Sequence, residues 1–252
     1  MIIHGVESKP GRWPWLAYVD GCSGTIISRE YVLTAAHCGV ASHTKVIVGV
    51  ANVSSPQSIV VPVEYSQEHP DFSKHVYETM NDIRIVKLGQ PLNFTKYIRP
   101  ICLPKIYNDA LKQDAVIAGW GGTKETIFNG TNVLHEGKAQ LTPSDDCKKN
   151  YEHIYTYNYT IIPKVHICAY GRNDTDVWHG DSGGPLMVSM EDNNGQNRWF
   201  EVSITSFGYR RYEDPSPPPV PYPQAPSVYT RITTFCDWIA KMTSNSVQCR
   251  EL

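Results

Sequence analysis

The sequence has no hydrophobic run long enough to cross a membrane, and it carries almost no net charge. Its longest apolar stretches resemble residues 46–51 in length, whereas a membrane-spanning helix needs about 20 consecutive apolar residues. Lysine and arginine total 23 against 25 aspartates and glutamates, which gives a net charge of -2 at pH 7. This balance does not supply the basic surface of a general nucleic-acid-binding protein. We therefore expect no membrane span and no nucleic-acid partner.

Signal-peptide and metal-binding patterns are missing too. The start of the chain, residues 1–4, has neither a basic first region nor a hydrophobic stretch. The seven cysteines are too few for a small disulfide scaffold, and they do not combine with histidines at zinc-finger spacing. His69 and His75 have no supporting carboxylate pattern, and residues 52–61 contain no acid for a calcium site. We expect no metal.

Glycosylation sequons indicate the compartment better than the cysteines do. Any single Asn-x-Ser/Thr pattern is weak, but five of them in one chain favour a secreted glycoprotein. The five candidate asparagines are Asn52, Asn93, Asn129, Asn158 and Asn173. Either the protein is cytosolic or the chain begins inside a longer precursor, and the motifs described below favour the precursor.

Short β-branched and aromatic runs, separated by Gly, Pro, Asn and Ser, predict an all-β protein built as a sandwich or a pair of barrels. With 41% hydrophobic residues, the chain can bury a core. Helices are predicted only from Ser144, which supplies a cap, and over 234–242, where apolar residues recur at helical spacing. The predicted strands cover 23–28, 31–34, 45–50, 59–63, 82–88, 115–120, 199–206 and 227–232.

One segment has an unusual composition. Seven prolines lie between Pro215 and Pro226, and proline cannot donate to a strand ladder. The segment therefore predicts a stiff, extended, polyproline-like loop.

Three short motifs carry residues suited to nucleophilic catalysis. Ser182 lies in Gly-Asp-Ser-Gly-Gly-Pro, where glycines let the backbone approach a reacting carbonyl and turn N–H groups towards it. His37 follows an apolar strand, and Asp82 opens another strand with an acid that is costly to bury without a partner. Each motif alone has an ordinary structural explanation. Together, in the order His, Asp, Ser, they predict a triad of base, orienting carboxylate and nucleophile.

With these motifs in place, the sequence resembles the chymotrypsin-like (trypsin-like) serine peptidase family over essentially the whole chain. The matching motifs are residues 2–5, 34–38, 82–88, 99–104, 119–121, 180–185 and 228–231. The resemblance implies one peptidase domain, 1–252, made of two six-stranded antiparallel β-barrels with the active site between them. The first barrel would span roughly 14–100, the second 101–233, and a C-terminal helix 234–243.

The resemblance also implies roles for the site residues. Ser182 would be the nucleophile, His37 the general base and then acid, and Asp82 the residue that orients it. The backbone N–H groups of Gly180 and Ser182 would form the oxyanion hole, and acyl-enzyme catalysis of this kind needs no cofactor. In this family a buried aspartate at the position of Asp181 pairs with an α-amine freed by activation cleavage, which would be that of Ile2. Met1 precedes Ile2, so the chain as written is expected to be zymogen-like.

Counting back from Ser182 without a gap, Asp176 matches the base of the family's primary specificity pocket. An aspartate there implies cleavage after Arg or Lys, although a solvated acid is the alternative. Val177 and Ser227 would line the pocket, with Ser227 narrowing it where glycine is usual. Residues 206–208, which are Ser206, Phe207 and Gly208, would form the edge that pairs with the substrate backbone.

Two cysteine pairs usual in the family are missing here. Trp178 and Arg211 replace the pair that braces the pocket, and we interpret them as a stack of Arg211 on Trp178. Alternatively, Arg210 and Arg211 compete with substrate for Asp176. Ala115 and Val188 replace the second pair.

The resemblance implies disulfides Cys22–Cys38 and Cys147–Cys168. Of the remaining cysteines, Cys102 would bind a cleaved prodomain while Cys236 pairs with Cys249. The alternative joins Cys102 to Cys236 and leaves Cys249 free.

The leading interpretation is a secreted endopeptidase, activated from a zymogen, that cuts protein or peptide substrates after basic residues with the narrow specificity of a cascade protease. One rival is a catalytically silent homologue that binds partners through its loops. Another is a protease that prefers large apolar residues because Asp176 is masked. Arg84, just after Asp82, has no explanation at this level.

Overall fold

A computed structural model describes residues 2–41, 43–75, 78–109, 112–122, 130–152, 160–192, 194–208 and 225–251. Most of the proline-rich segment, together with Arg210 and Arg211, lies outside these ranges. In the described part of the chain, no helix has the length and apolar character needed to span a membrane.

Alternating inward and outward side chains build the first barrel. On the long strand over 59–68, for example, Val61 and Val63 are buried while Val60 and Pro62 are exposed, the period-2 pattern of a sheet with one buried face. The strands in chain order are β1 (Val6–Glu7), β2 (Leu16–Val19), β3 (Cys22–Ile26), β4 (Tyr31–Thr34), β5 (Lys45–Val48), β6 (Ile59–Glu68), β7 (Ser73–His75), β8 (Glu78–Met80) and β9 (Arg84–Leu88). The barrel closes in the order β2-β3-β4-β9-β6-β5.

The second barrel contains the later strands of the chain. These are β10 (Asp114–Gly119), β11 (His135–Thr142), β12 (His166–Gly171), β13 (Pro185–Glu191), β14 (Asn197–Phe207) and β15 (Ser227–Arg231). They run in the order β11-β10-β13-β14-β15-β12, and pairing of β11 with β12 closes the ring. β1 adds to its rim through β11, although it precedes the first barrel in the chain. The prediction of two six-stranded antiparallel barrels is confirmed.

Each barrel has its own apolar interior, and a third cluster joins the two. Leu33 and Ile85 from the first barrel belong to the same buried cluster as Ala118 and Ile204 from the second. Ala115 and Val188, which stand where the family usually has a cysteine pair, are both buried in the interior of the second barrel. Two buried apolar side chains therefore stand at the positions of that cysteine pair.

Both predicted helices are present. α1 spans Ser144–Glu152, and its first turn carries Asp145 and Asp146, which favour the positive N-terminal end of a helix. The second begins as a 3₁₀ turn over Ile232–Phe235 and continues as α2 over Cys236–Met242. Its buried residue Ile239 packs into the cluster between the barrels.

The structure contains three disulfides, Cys22–Cys38, Cys147–Cys168 and Cys236–Cys249. All seven cysteines lie in described ranges, and Cys102 is the one without a disulfide partner. The alternative pairing of Cys102 with Cys236 is therefore wrong. Cys236 opens α2, and the chain beyond that helix turns back to bring Cys249 against it.

Candidate active site

His37 lies on a short 3₁₀ turn, Ala36–Cys38, immediately after β4. The Cys22–Cys38 disulfide ties the end of this turn to the start of β3. Gly39 ends the turn with a left-handed φ of 62°, a conformation that glycine adopts without strain. The turn thus presents the His37 ring at the edge of the first barrel, with 15% of its side chain exposed.

Asp82 is fully buried and holds His37 at two points. Its Oδ1 accepts the His37 backbone N–H at 2.9 Å, and its Oδ2 lies 2.7 Å from His37 Nδ1. Burial raises the pKa of Asp82, but hydrogen bonds to His37 and Ser206 and the charge of His37 outweigh it and hold the pKa below its ordinary value. Because the carboxylate is ionised, Nδ1 carries the proton and Nε2 is left as the basic nitrogen.

The Ser182 turn lies against the strands that lead to His37. Ser23 on β3 donates its N–H to Ser182 O at 2.9 Å. Gly183, with a φ of 79°, approaches so closely that a Cβ there would lie 2.1 Å from Thr34 Oγ1 on β4. Only glycine permits this contact. Ser182 and His37 both lie in the described ranges, and no hydrogen bond links Ser182 Oγ to His37 Nε2. Hydrogen bonds between a nucleophile and its base often shorten only when substrate binds.

The backbone N–H groups of Gly180 and Ser182 are oriented by hydrogen bonds to the carbonyl oxygens of the same two peptide groups. The carbonyl of His179 accepts from Gly122 N–H at 2.6 Å, and that of Asp181 accepts from Gly184 N–H at 3.0 Å. In a trans peptide the N–H points away from the carbonyl, so the N–H groups of Gly180 and Ser182 face the other way. Within the described structure neither has an acceptor. This arrangement suits an oxyanion.

Asp181 is buried beneath the Ser182 turn. Its Oδ1 accepts Gly121 N–H at 2.9 Å and its Oδ2 accepts Trp178 N–H at 2.8 Å. A Cβ at Gly119 would lie 2.3 Å from Oδ1, so this glycine also leaves room for the carboxylate.

The segment at the start of the chain is inserted into the second barrel. The Ile2 side chain is fully buried in its core. Ile3 pairs with Asp176 through Ile3 N–H to Asp176 O at 2.8 Å and Asp176 N–H to Ile3 O at 3.2 Å. Met1 lies outside the described residues, and the pairing of Asp181 with a free α-amine of Ile2 stays a prediction.

The predicted specificity pocket contains Asp176, half-buried, with Ser227 beside it. Ser227 Oγ donates to Asp176 Oδ1 at 2.7 Å, and Val177 N–H donates to the same oxygen at 2.8 Å. The Ser227 hydroxyl, at the position where glycine is expected, therefore binds the acid directly. Trp178 is buried and contacts the His179 ring edge-on; the hypothesised stack on Arg211 falls outside the described residues.

Ser206, assigned from the sequence to the edge expected to bind substrate, has its side chain against the carboxylate of Asp82. Its Oγ donates to Asp82 Oδ2 at 2.5 Å from the end of β14. Phe207 and Gly208 follow at this edge; a Cβ at Gly208 would lie 3.3 Å from Ser227 Oγ. The sequence motif predicts that residues 206–208 form an edge, but only the fold shows the hydrogen bond from Ser206 to Asp82.

Sequence reasoning misses His166, a buried residue on β12 beside the same edge. Its ring meets Phe207 edge-on with centroids 5.5 Å apart. Nδ1 accepts Ile162 N–H at 3.1 Å, so Nε2 carries the proton and donates to Thr79 O at 3.0 Å. Burial lowers the pKa of His166, against the opposing effects of Thr79 and Asp82. A single histidine in a strand gives no sequence signal for these contacts with Phe207, Ile162 and Thr79.

Three of the candidate glycosylation asparagines, Asn52, Asn93 and Asn173, are exposed, and Asn129 and Asn158 lie outside the described residues.

The family model for Trypsin matches residues 2–239. The chain therefore belongs to the trypsin family of serine proteases. It is 32% identical to proclotting enzyme of Tachypleus tridentatus over 95% of this chain and 65% of that protein. In Drosophila melanogaster it is 28% identical to serine protease ea, over 94% of this chain and 66% of that one, and 29% identical to melanization protease 1, over 94% and 64%. The chain thus spans slightly less than two thirds of the length of these relatives.

Solved structures agree with this assignment. Neuropsin, a serine protease expressed in the limbic system of mouse brain, superposes with a TM-score of 0.78 at 27% identity, covering 96% of this chain and 100% of neuropsin. The structure of GrC gives a TM-score of 0.74 at 26% identity with the same coverage of both chains.

Proposed function

We propose that this protein is a secreted serine endopeptidase that cleaves peptide bonds after Arg or Lys through an acyl-enzyme. The observation that carries the proposal is the contact of His37 and Ser206 with the buried carboxylate of Asp82, next to a Ser182 turn whose neighbouring N–H groups are oriented and unpaired among the described residues. This combination supplies a base, a nucleophile and an oxyanion site.

In the acylation step, Ser182 Oγ attacks the scissile carbonyl carbon while its proton passes to His37 Nε2. The oxygen of the tetrahedral intermediate takes up the negative charge and accepts hydrogen bonds from Gly180 and Ser182 N–H. Asp82 stabilises the imidazolium that forms. His37 then gives the proton to the leaving nitrogen as the C–N bond breaks, and the acyl group remains as an ester on Ser182.

Deacylation repeats these steps with water in place of the serine. His37 removes a proton from the water, whose oxygen attacks the ester carbon. Collapse of the second tetrahedral intermediate breaks the bond to Ser182 Oγ, which recovers a proton from His37. The chain's own residues account for every proton moved.

Asp176 supports the preference for basic residues because a carboxylate in a narrow slot forms a charge-assisted pair with a guanidinium or ammonium group. Ser227 and Val177 already donate to one oxygen of this acid, so substrate would share it. This geometry supports a selective pocket.

Zymogen activation and a cascade role are part of the same proposal. Ile2 is buried and Ile3 pairs with Asp176, which supports a free Ile2 α-amine reaching Asp181 after cleavage. The names proclotting enzyme and melanization protease 1 belong to relatives, and they support a cascade protease here. Cys102, the cysteine without a disulfide partner, would then link a prodomain, and the exposed sequons would carry glycans.

The test is hydrolysis of matched Arg, Lys and Phe peptide amides by protein that begins at Ile2. A Ser182→Ala variant and protein retaining Met1 are the controls. We expect Arg and Lys cleavage that both controls abolish. Efficient Phe cleavage would refute the assigned specificity. No turnover together with no labelling of Ser182 by a serine-directed phosphonate would favour the silent, partner-binding homologue.

A further inference from the structure

Arg84 places a buried cation close behind the candidate catalytic residues. It opens β9 two residues after Asp82, and only 10% of its side chain is exposed. Burying a guanidinium is costly unless its donors find partners. Its contacts therefore indicate what it does.

The partners of Arg84 lie on both sides of the His37 turn. Nη2 donates to Ala36 O at 3.4 Å, immediately before His37. Nη1 donates to Ser66 Oγ at 2.9 Å, and Ser66 Oγ donates in turn to Val40 O at 3.1 Å, just after the turn. One guanidinium thus connects to the backbone at both ends of the segment that carries His37.

Glu68 supplies the counter-charge. It faces Arg84 across the β6–β9 ladder, and its carboxylate accepts from Arg84 Nη2. Arg84 Nε, by contrast, is buried and has no partner within the described structure. The Glu68 side chain is 47% exposed, and an ion pair that reaches solvent adds little to stability. Core stability alone therefore does not account for an arginine at this place.

We propose that Arg84 is a positioning residue that holds the His37 turn at both ends and so fixes the imidazole for proton transfer. The inference rests on the proposed function, in which His37 is the general base. Asp82 holds the ring and the backbone N–H of His37, while Arg84 and Ser66 hold the carbonyls on either side, those of Ala36 and Val40. A misplacement of about 1 Å in such a group costs on the order of 100-fold in rate.

The experiment compares kcat, KM and thermal stability in protein that begins at Ile2, with an Arg peptide amide as substrate. Arg84→Met removes every contact and keeps the length of the side chain; we expect kcat to fall about 10- to 100-fold with KM within about threefold, on the scale set by that misplacement. Ser66→Ala removes the hydrogen bond from Arg84 Nη1 together with the link to Val40, but it keeps the contacts of Arg84 with Ala36 and Glu68 and should lower kcat less. In the double variant, kcat should be no lower than in Arg84→Met, because both substitutions act through one network.

Lys87→Met is the matched control. Lys87 and Glu64 form an ion pair between the same two strands, 3.5 Å apart and away from the His37 turn, so kcat should not change. Arg84→Lys keeps the charge and can still pair with Glu68; we expect it to recover stability more fully than kcat. If Arg84→Met does not fold, the variants Arg84→Lys and Ser66→Ala together test the proposal.

The outcomes separate the two proposals. An active parent protein whose kcat survives Arg84→Met, or survives both Arg84→Lys and Ser66→Ala, overturns the positioning role alone. A fall in kcat matched by Lys87→Met would show a general effect of the β6–β9 ladder and also overturns it. A parent protein with no turnover and no phosphonate labelling overturns both.

Discussion

Ser206 on the second barrel donates its hydroxyl hydrogen bond to the carboxylate of Asp82 on the first, at 2.5 Å and across 124 residues of sequence. The receiving oxygen, Oδ2, is also the one that contacts His37 Nδ1. The contact therefore joins the two barrels at the carboxylate that orients the base.

Ser206→Ala should lower kcat/KM about tenfold or more, because a hydrogen bond to a charged group is worth about 1.5–3 kcal/mol. Peptide-amide kinetics measure the effect. Ser203→Ala is the matched control: Ser203 lies on the same strand, and its buried hydroxyl has no partner among the described residues. Equal activity of the two variants would contradict the role assigned to Ser206.

Ser227→Gly should raise kcat/KM for Arg and Lys substrates several-fold. The substitution should widen the pocket, and it removes one of the two donors to Asp176 Oδ1, which favours contact of that oxygen with the substrate cation. Asp176→Ser should abolish the preference for basic residues. Ratios of kcat/KM for matched Arg, Lys and Phe amides provide the measurement, and an unchanged ratio in Asp176→Ser would refute the pocket assignment.

Glu201 should make stability depend on pH. It is fully buried on β14, its Oε1 accepts from Thr25 Oγ1 at 3.3 Å, and its Oε2 has no partner in the described part of the chain. Burial raises the pKa of Glu201 to about 8, opposed by the Thr25 hydrogen bond. The folded protein therefore keeps a proton that the unfolded chain releases near pH 4.3, about the ordinary glutamate pKa.

The sign follows from that difference. The contribution of Glu201 is fully present below the unfolded pKa and is lost as pH rises towards the folded value, by up to about 1.4 kcal/mol per pH unit. Glu201→Gln should flatten the fall of Tm between pH 5 and about pH 8 and raise Tm at the alkaline end. Glu191→Gln, at an exposed position, is the control and should leave the slope of Tm against pH unchanged. If Glu201→Gln has the same slope as the parent protein, titration of Glu201 does not cause the pH dependence.

Replacing Cys236 and Cys249 together by Ser should destabilise the fold by about 3 kcal/mol, because their disulfide closes a loop with a sequence separation of 13. Urea unfolding measures the change. Cys102→Ser should leave the midpoint where it is, since Cys102 has no disulfide to lose. A destabilised Cys102→Ser protein with a normal double variant would mean that the pairing is different.

Much of the architecture is predictable from local pattern. Residues 31–34 are predicted as a strand with the observed bounds of β4, and α1 begins at the predicted capping serine. The unpredicted strands are β1, β2, β7, β8, β11, β12 and β13. β11 illustrates why: His135–Thr142 contains glycine and several charged or amide side chains, so its strand structure comes from pairing with β10 and β12. Intrinsic β-propensity is a weak predictor of a strand whose formation depends on pairing with its neighbours.

The sequence by itself indicated an all-β protein and singled out His37, Asp82 and Ser182 as candidates. The two-barrel fold followed from the family resemblance, which short motifs in a set order carry. Tertiary structure decided which groups serve them. It brought Ser206 to Asp82, Ser227 to Asp176, and Arg84 to both ends of the His37 turn. These contacts cross strands and barrels, and their geometry depends on how closed barrels pack, which no local spacing in the chain encodes.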